Sequence, residues 1–341
     1  MIQALLSKLA ERTDLTRGEL VGAMTEIADA SATPAQIGAF LLALRLKGET
    51  VEEIVGAAEF ARSRVEGIHV AHPVFIDTCG TGGDGRSTFN ISTTAALVAA
   101  AAGVPVAKHG NRAVSSRCGS ADVLAALGVD ITASKALVER CIAEVGIGFL
   151  HAARLHPAFK AVAEVRRELG VRTVFNLLGP LANPAGARHQ VMGVYEPRWV
   201  PILGRVLLAL GSVHALVVHG DGLDEITVAG TTLVCEVKAG QVLERTIVPE
   251  ELGLQRWQPA ELAGGDVAQN VAIVRDVLAG QRGAPRDAVL ANAAAALVVG
   301  QKADNLKEGV REAAQVLDSG AAAQKLADLV RLTTLVMTGA A

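Results

Sequence analysis

The chain predicts an α/β fold: a small helical domain, then a larger α/β domain whose central, mostly parallel sheet is flanked by helices. Three observations point there. Residues 1–66 carry strong helix punctuation and no strand signal. From Val70 onward, short β-branched runs alternate with helical stretches. One of these runs, Val74-Phe75-Ile76, leads directly into a glycine-rich loop, at the strand end where α/β sheets hold their ligands.

In the N-terminal block, Thr16 with Glu19 and Thr50 with Glu53 form capping boxes, Thr33-Pro34 is an N-cap followed by proline at the first helical position, and Gly48 is a stop. Four helices follow from these signals. They bury too little surface to stand alone, so the block is expected to recruit a later helical segment and a second subunit. Strands are predicted at Phe75–Asp77, Val104–Lys108, Val171–Phe175, Ala215–Val218, Ile226–Val228 and Leu233–Val237, with helices between most of them and alanine-rich helix from Pro285 onward. At 341 residues the chain exceeds one small core, which suits a large domain plus a smaller one.

Composition excludes several classes. Half the residues are hydrophobic and the net charge is −3, as in a globular chain rather than a disordered one. Aromatics are only 3%, so both the basic field and the stacking platforms of a nucleic-acid binder are missing. No apolar stretch reaches the length of a membrane span, and the N-terminus has acidic residues and helical periodicity instead of a signal peptide; a cytoplasmic location is expected. Cys79, Cys118, Cys141 and Cys235 lie far apart with no C-x-x-C pair, and no H-E-x-x-H occurs, so neither a disulfide framework nor zinc is indicated.

The most informative segment is Gly80-Thr81-Gly82-Gly83-Asp84-Gly85, in which four glycines in six residues leave backbone N–H groups uncovered, the makings of an anion nest. Asn90, Ser92 or Thr93 can cap the following helix, whose positive dipole end adds to the site and which stops at Gly103. Gly80, Gly82 and Gly85 match the dinucleotide fingerprint, but the helix does not open on the third glycine and no acidic residue stands some twenty positions on. Gly80 to Ser87 resembles a P-loop with arginine replacing the essential lysine, which arginine cannot imitate in so tight a cradle. Phosphate is what both motifs share. The strand at Val104–Ala107 then delivers Lys108, His109, Asn111 and Arg112 at its carboxyl end, followed by the polar clusters Ser115-Ser116-Arg117 and Gly119-Ser120.

Pro157 starts a helix that Gly170 ends. At roughly 100° per residue Phe159, Val162, Val165 and Leu169 share its apolar face, Arg166 lies about 60° from the centre of that face, and Arg167 points away. Arg166 is the arginine placed to enter a site.

Taken together, the GTGGD loop, NIST at Asn90–Thr93, KHGNR at Lys108–Arg112, GSAD at Gly119–Asp122, HPA at His156–Ala158, VRRELGVRT at Val165–Thr173, NLLGPLANP at Asn176–Pro184 and Asp224-Glu225 resemble the anthranilate phosphoribosyltransferases in order and spacing over nearly the whole chain. The resemblance implies transfer of the 5-phosphoribosyl group from 5-phosphoribosyl 1-diphosphate to the amino group of anthranilate, in tryptophan biosynthesis. It implies donor binding by Gly80, Thr81, Gly82, Gly83, Asp84, Thr88, Asn90, Ser92, Thr93, Lys108, His109, Gly110 and Ser120. Anthranilate would meet Gly80, His109, Asn111, Arg166, Gly179 and Pro180, with Arg166 on its carboxylate, as suits a planar guanidinium. His156 reads instead as a helix-start residue. Ser92, Asp224 and Glu225 would hold Mg²⁺, because paired carboxylates beside a diphosphate repel it unless a hard cation intervenes. No side chain is implied as nucleophile or general base, since the arylamine itself attacks. The implied division is 1–72 with about 166–190 as the helical, anthranilate-side domain through which a homodimer forms, and 73–165 with 191–341 as the donor domain.

A pyrimidine nucleoside phosphorylase would share the architecture but carry a lysine-histidine-serine-threonine-glycine-glycine signature where this chain has Asp77-Thr78-Cys79-Gly80-Thr81-Gly82. A non-catalytic nucleic-acid-binding relative would lose the anthranilate residues and gain basic surface. The chain departs from the common pattern at His151, Ala153 and Leu155, which line or flank the expected entry for the aromatic acid.

Overall fold

The computed structural model describes residues 1–113 and 117–335, so Ser115 and Ser116 lie outside the described residues. Four helices come first: α1 (Ile2–Ala10), α2 (Arg17–Ala28), α3 (Pro34–Lys47) and α4 (Val51–Ser63). Both expected capping boxes are made, with Thr16 accepting from Glu19 N–H and Thr50 from Glu53 N–H. A third stands at Thr33 and Gln36.

Thereafter strands and helices alternate: β1 (Ile76–Asp77), α5 (Ile91–Ala101), β2 (Val106–Gly110), α6 (Ser120–Ala126), α7 (Lys135–Val145), β3 (Ile147–His151), α8 (Ala152–Leu155), α9 (Lys160–Leu169), α10 (Phe175–Leu181), β4 (His189–Gly193), α11 (Trp199–Ala209), β5 (His214–Gly220), β6 (Thr232–Lys238) and β7 (Gln241–Ile247). The chain continues through α12 (Val267–Leu278), α13 (Ala284–Val299), α14 (Leu306–Asp318) and α15 (Ala321–Leu335). Among the described residues the sheet has seven strands in the order β3-β2-β1-β4-β5-β6-β7. The five strands β3 to β5 run parallel, and β6 and β7 are antiparallel additions. Strand order reverses between β1 and β4, and that switch point is where an open α/β sheet leaves a crevice. The glycine loop leaves β1 there.

Two large cores separate the faces. One packs α5, α13 and parts of α14 and α15 on the sheet. The other joins α1–α4, α9 and α10 to α11 and the opposite face of β4–β6. The expected recruitment of a later helical segment is therefore met by α9 and α10, and the apolar face of α9 lies on α3, with Val165 and Leu169 side chains 3.7 and 3.9 Å from where a Gly38 Cβ would stand.

Two predicted strands are corrected. Val171–Phe175 forms no strand: Gly170 adopts φ +62° as a helix stop, Val171 is 48% exposed, and Thr173 N–H is taken by the Asn176 side chain as α10 begins. Ile226–Val228 is buried but irregular, because Asn292 Oδ1 accepts Ile226 N–H and Thr232 Oγ1 accepts Thr227 N–H in place of a ladder. The strands β3, β4 and β7 lie outside the predicted set. The turn joining β6 to β7 holds Ala239 and Gly240 at φ +50° and +75°, a tight hairpin turn without the usual asparagine. No described helix is long and apolar enough to cross a membrane.

Candidate active site

The glycine loop is held in an anion-ready shape by its own backbone and by distant residues. Gly82, Gly83 and Gly85 have φ of +64°, +77° and +75°, the left-handed region where a side chain is strained. Thr81 N–H donates to Gly193 O at 2.8 Å, Tyr195 N–H donates to Thr81 Oγ1 at 3.1 Å, and Gly82 N–H donates to Asp224 Oδ2 at 2.8 Å. Gly80 must be glycine for a different reason: a Cβ there would stand 2.9 Å from Asp224 Oδ2. The loop thus spans the exits of β1 and β4 and packs on the segment after β5.

Asp224 is flanked by two further carboxylates, Asp84 of the loop and Glu225. Asp84 Oδ2 accepts from Asp224 N–H at 3.5 Å, and Glu225 Oε1 accepts from Ser92 N–H at 3.0 Å in the first turn of α5. Burial, followed by the Asp84 carboxylate, pushes Asp224 above the usual range; burial, followed by Asp224, does the same to Glu225. Half-buried like charges of this kind suit a hard divalent cation beside phosphate, so Ser92, Asp224 and Glu225, with Asp84 nearby, are residues that could hold Mg²⁺. Thr78, Gly80, Ser92, Gly193 and Glu225 also border a small cavity behind the loop.

Lys108 is buried below, with Nζ donating to Thr78 O at 2.7 Å and to Thr78 Oγ1 at 3.2 Å. Its charge is among the influences that oppose the rise in Asp77 and Glu225. Asp77, fully buried and raised to about 6 by that burial, accepts from His109 N–H at 3.1 Å and from Asn183 Nδ2 at 2.8 Å. Burial likewise pushes the Cys79 thiol up, so it remains protonated. Asn90 is at the N-cap of α5 but makes no cap bond with its side chain, which donates to Cys118 O at 3.2 Å while its Oδ1 is buried without a partner among the described residues. Thr93 is buried in α5, and Thr88 makes a bridge to Ala263. Ser120 Oγ donates to Asn111 O at 3.3 Å, and a Cβ on Gly110 would collide with that hydroxyl.

The other face of β2 carries His109. His109 Nδ1 is 2.9 Å from Gly179 O, and its Nε2 is 3.1 Å from His156 Nε2. Because the carbonyl can only accept, His109 carries its proton on Nδ1 and accepts from His156 Nε2–H. Burial lowers both, to about 3 for His109 and about 4 for His156, so both rings are neutral near pH 7. His156 stands at the helix start as expected, its carbonyl accepting from Phe159 N–H at 3.2 Å, and its buried ring also stacks on Phe159 at 4.8 Å and locks His109. His109 in turn fixes α10, where a Cβ on Gly179 would face open space, while Pro180 is buried and its carbonyl accepts from Gln190.

Arg166 is half-buried, its guanidinium 5.3 Å from the centre of the Phe175 ring, and burial lowers its affinity for its proton. No carboxylate pairs with it among the described residues, whereas Arg167 is 73% exposed and 3.7 Å from Glu164. The helical phase that separated the two arginines is as read. Asn111 is exposed with its Oδ1 accepting Arg112 N–H, and His151 has both ring nitrogens buried without a partner among the described residues. Thr78, Asn183 and Arg172 stand inside the sequence segments named above but received no role from them; Arg172 donates to Gly83 O. None of the three carries a spacing signal, because each acts through a contact distant in sequence. A larger groove of about 600 Å³ lies against β6, β7 and the start of α14, away from the loop, with acidic and basic groups intermixed.

The sequence profiles that match this chain are the glycosyl transferase family helical bundle domain over residues 3–65 and the glycosyl transferase family a/b domain over residues 72–323. The anthranilate phosphoribosyltransferase of Anaeromyxobacter sp. (strain Fw109-5) is 70% identical over 333 residues, covering 98% of this chain and 99% of the relative. That of Symbiobacterium thermophilum is 54% identical over 326 residues, covering 95% and 96%. Among solved structures, the Thermus thermophilus anthranilate phosphoribosyltransferase is 44% identical with a TM-score of 0.91, covering 96% of this chain and 98% of that one. The Saccharomyces cerevisiae enzyme in complex with PRPP and Mg is 28% identical with a TM-score of 0.89, covering 98% of each. The glycine loop, the carboxylates around Asp224 and the half-buried Arg166 thus sit in a chain that belongs to the anthranilate phosphoribosyltransferase family.

Proposed function

We propose that the two faces of the β1–β2 region divide the labour of the family's reaction, the loop side taking the donor and the α9–α10 side the acceptor. The activity is transfer of the 5-phosphoribosyl group from 5-phosphoribosyl 1-diphosphate to the amino nitrogen of anthranilate, with loss of diphosphate, in tryptophan biosynthesis. The observation that carries the assignment is the juxtaposition of a positive-φ glycine loop with Asp224 and its neighbouring carboxylates Asp84 and Glu225, with no ion pair to Asp224 or Glu225 among the described residues.

The amides of Gly83 and Asp84, in a loop whose apex is held by the Gly82 N–H on Asp224, hold the donor's phosphates and ribose with Asn90, Ser92, Thr93 and Ser120 around them. Ser92, Asp224 and Glu225 hold Mg²⁺, which when bound neutralises charge on the diphosphate. Lys108 acts from below by fixing Thr78 and stabilising the acidic cluster. On the acceptor side Arg166 takes the anthranilate carboxylate in a bidentate pair, and its stacking on Phe175 fixes the guanidinium plane. His109, neutral and locked by His156, orients Gly179-Pro180 as one wall of the aromatic pocket. Carbon 1 of the ribose takes on positive character as its bond to the diphosphate oxygen lengthens, and the amino lone pair attacks from the opposite side. The N-protonated adduct is strongly acidic and loses its proton without a dedicated base. Catalysis is then positioning and charge stabilisation rather than covalent chemistry.

Helices α1–α4 with α9 and α10 form the acceptor-side domain, whose second segment begins with α9 at Lys160 rather than near the expected 166, and provide the surface through which two copies pair in the cytoplasm. Exposed Met1, Leu42 and Leu46 on that block support the pairing. Loss of anthranilate fluorescence in the presence of donor and Mg²⁺ tests the activity; no loss at any donor concentration would end this reading.

A further inference from the structure

We infer that Arg172 is a positioning residue that ties the donor loop to the acceptor helices, so that the two subsites form together; the inference rests on the division of subsites proposed above. Arg172 belongs to the short segment between α9, which carries Arg166, and α10, which carries Gly179 and Pro180. Its guanidinium is held on three sides. Nη2 donates to the Gly83 carbonyl, the flat face lies 4.0 Å from the centre of the Tyr195 ring, and Nη1 is 3.7 Å from Glu196 Oε1. Glu196 is itself fixed by Arg198 at 2.7 Å.

The consequence for the loop follows from peptide geometry. The Gly83–Asp84 bond is trans, so the Gly83 C=O and the Asp84 N–H point in opposite directions. Holding the carbonyl against Arg172 turns the Asp84 N–H to the other side of the loop. Gly82 and Gly83 are in the left-handed region, where glycine has little intrinsic preference, so an external tether decides the orientation of this peptide. The loop's other ties, from Thr81 to the β4 exit and from Gly82 to Asp224, stay within the donor side. Arg172 reaches it from the acceptor side. Filling the donor subsite therefore stiffens the segment on which Arg166 and Gly179 are mounted, and the converse holds by linkage.

Lysine supplies a donor but neither the fork nor the flat stacking face. Arg172→Ala should raise the KM for donor roughly ten-fold, the loss of one charge-assisted hydrogen bond, with kcat at saturation changed less. Arg172→Lys should recover part of that loss. Anthranilate binding, followed by its own fluorescence with and without inorganic diphosphate and Mg²⁺, should respond to diphosphate in the wild type and lose that response in Arg172→Ala. Glu196→Gln, which leaves Arg172 in place but loosens it, should shift donor KM in the same direction by less. Thermal melts separate the alternatives: a fall in Tm with donor KM and the diphosphate response unchanged makes Arg172 merely structural and overturns the inference. Failure of the wild type to consume anthranilate would instead fault the subsite reading itself.

Discussion

Gly82 N–H donates to Asp224 Oδ2 at 2.8 Å across 142 residues of chain, so the apex of the glycine loop and the acidic segment after β5 are one unit. The amide sets the carboxylate's orientation, and the carboxylate holds the amide within the loop. A change to either partner should be felt by the donor before it is felt by the fold.

Gly82→Ala should weaken donor binding with little loss of Tm. A Cβ there meets nothing within 4 Å, but φ of +64° is strained for alanine, so the loop relaxes away from the nest. Strain of this kind is of order 1 kcal/mol, which predicts a donor Kd raised about five- to ten-fold in calorimetric titration. Unchanged affinity would place the phosphate elsewhere.

Arg166→Ala should lower kcat/KM for anthranilate by about ten- to a hundred-fold, from a charged hydrogen-bonded pair worth roughly 1.5–3 kcal/mol, with donor KM nearly unaltered. Arg167→Ala is the control, since Arg167 faces solvent. Equal effects of the two substitutions would refute the assignment of Arg166.

Much of this was legible in the sequence because it depends on local rules. Thr16, Thr50 and Gly170 act on their own helices, and the phase separating Arg166 from Arg167 needs only a helix and a periodicity. The failures have the opposite character. Val171 to Phe175 looked like a strand because β-branched and aromatic residues cluster there, yet a glycine stop and the Asn176 side chain commit the backbone to a new helix. His156 does open its helix, but the part its ring plays was not legible, because it depends on His109 and Gly179, which are brought to it only by the fold. Strand β7 is mostly exposed and polar, and so carried no hydrophobic alternation to read.

Gly179→Val should raise the anthranilate KM several-fold while leaving donor KM and Tm close to wild type. The position lies in α10 with ordinary φ and open space where a side chain would go, so the added methyls occupy the acceptor pocket rather than the core. Steady-state kinetics with either substrate varied will show whether the effect is confined to the acceptor.

The His109–His156 pair should make the protein acid-sensitive. Both pKa values are depressed in the fold, so the unfolded chain binds more protons than the native one between about 4 and the ordinary value of 6.5. Their contribution is present above pH 6.5 and is lost as pH falls through that window. For His156, moved from 6.5 to about 4, the loss amounts to about 3 kcal/mol at most. His156→Gln keeps a donor for His109 but cannot titrate, and chemical denaturation at pH 7.5 and pH 4.5 should show a smaller drop for the variant than for the wild type.

Asp224 and Glu225 are assigned here as ligands for Mg²⁺ beside the diphosphate and not as acid or base, and the whole donor side depends on that role. Replacing them together with Asn and Gln keeps their size while removing the charge. Activity titrated against free Mg²⁺ should then move to much higher metal concentration in the double variant, with a raised donor KM and with anthranilate recognition through Arg166 retained. Coincident Mg²⁺ curves for variant and wild type, with turnover alone reduced, would refute the metal-ligand role.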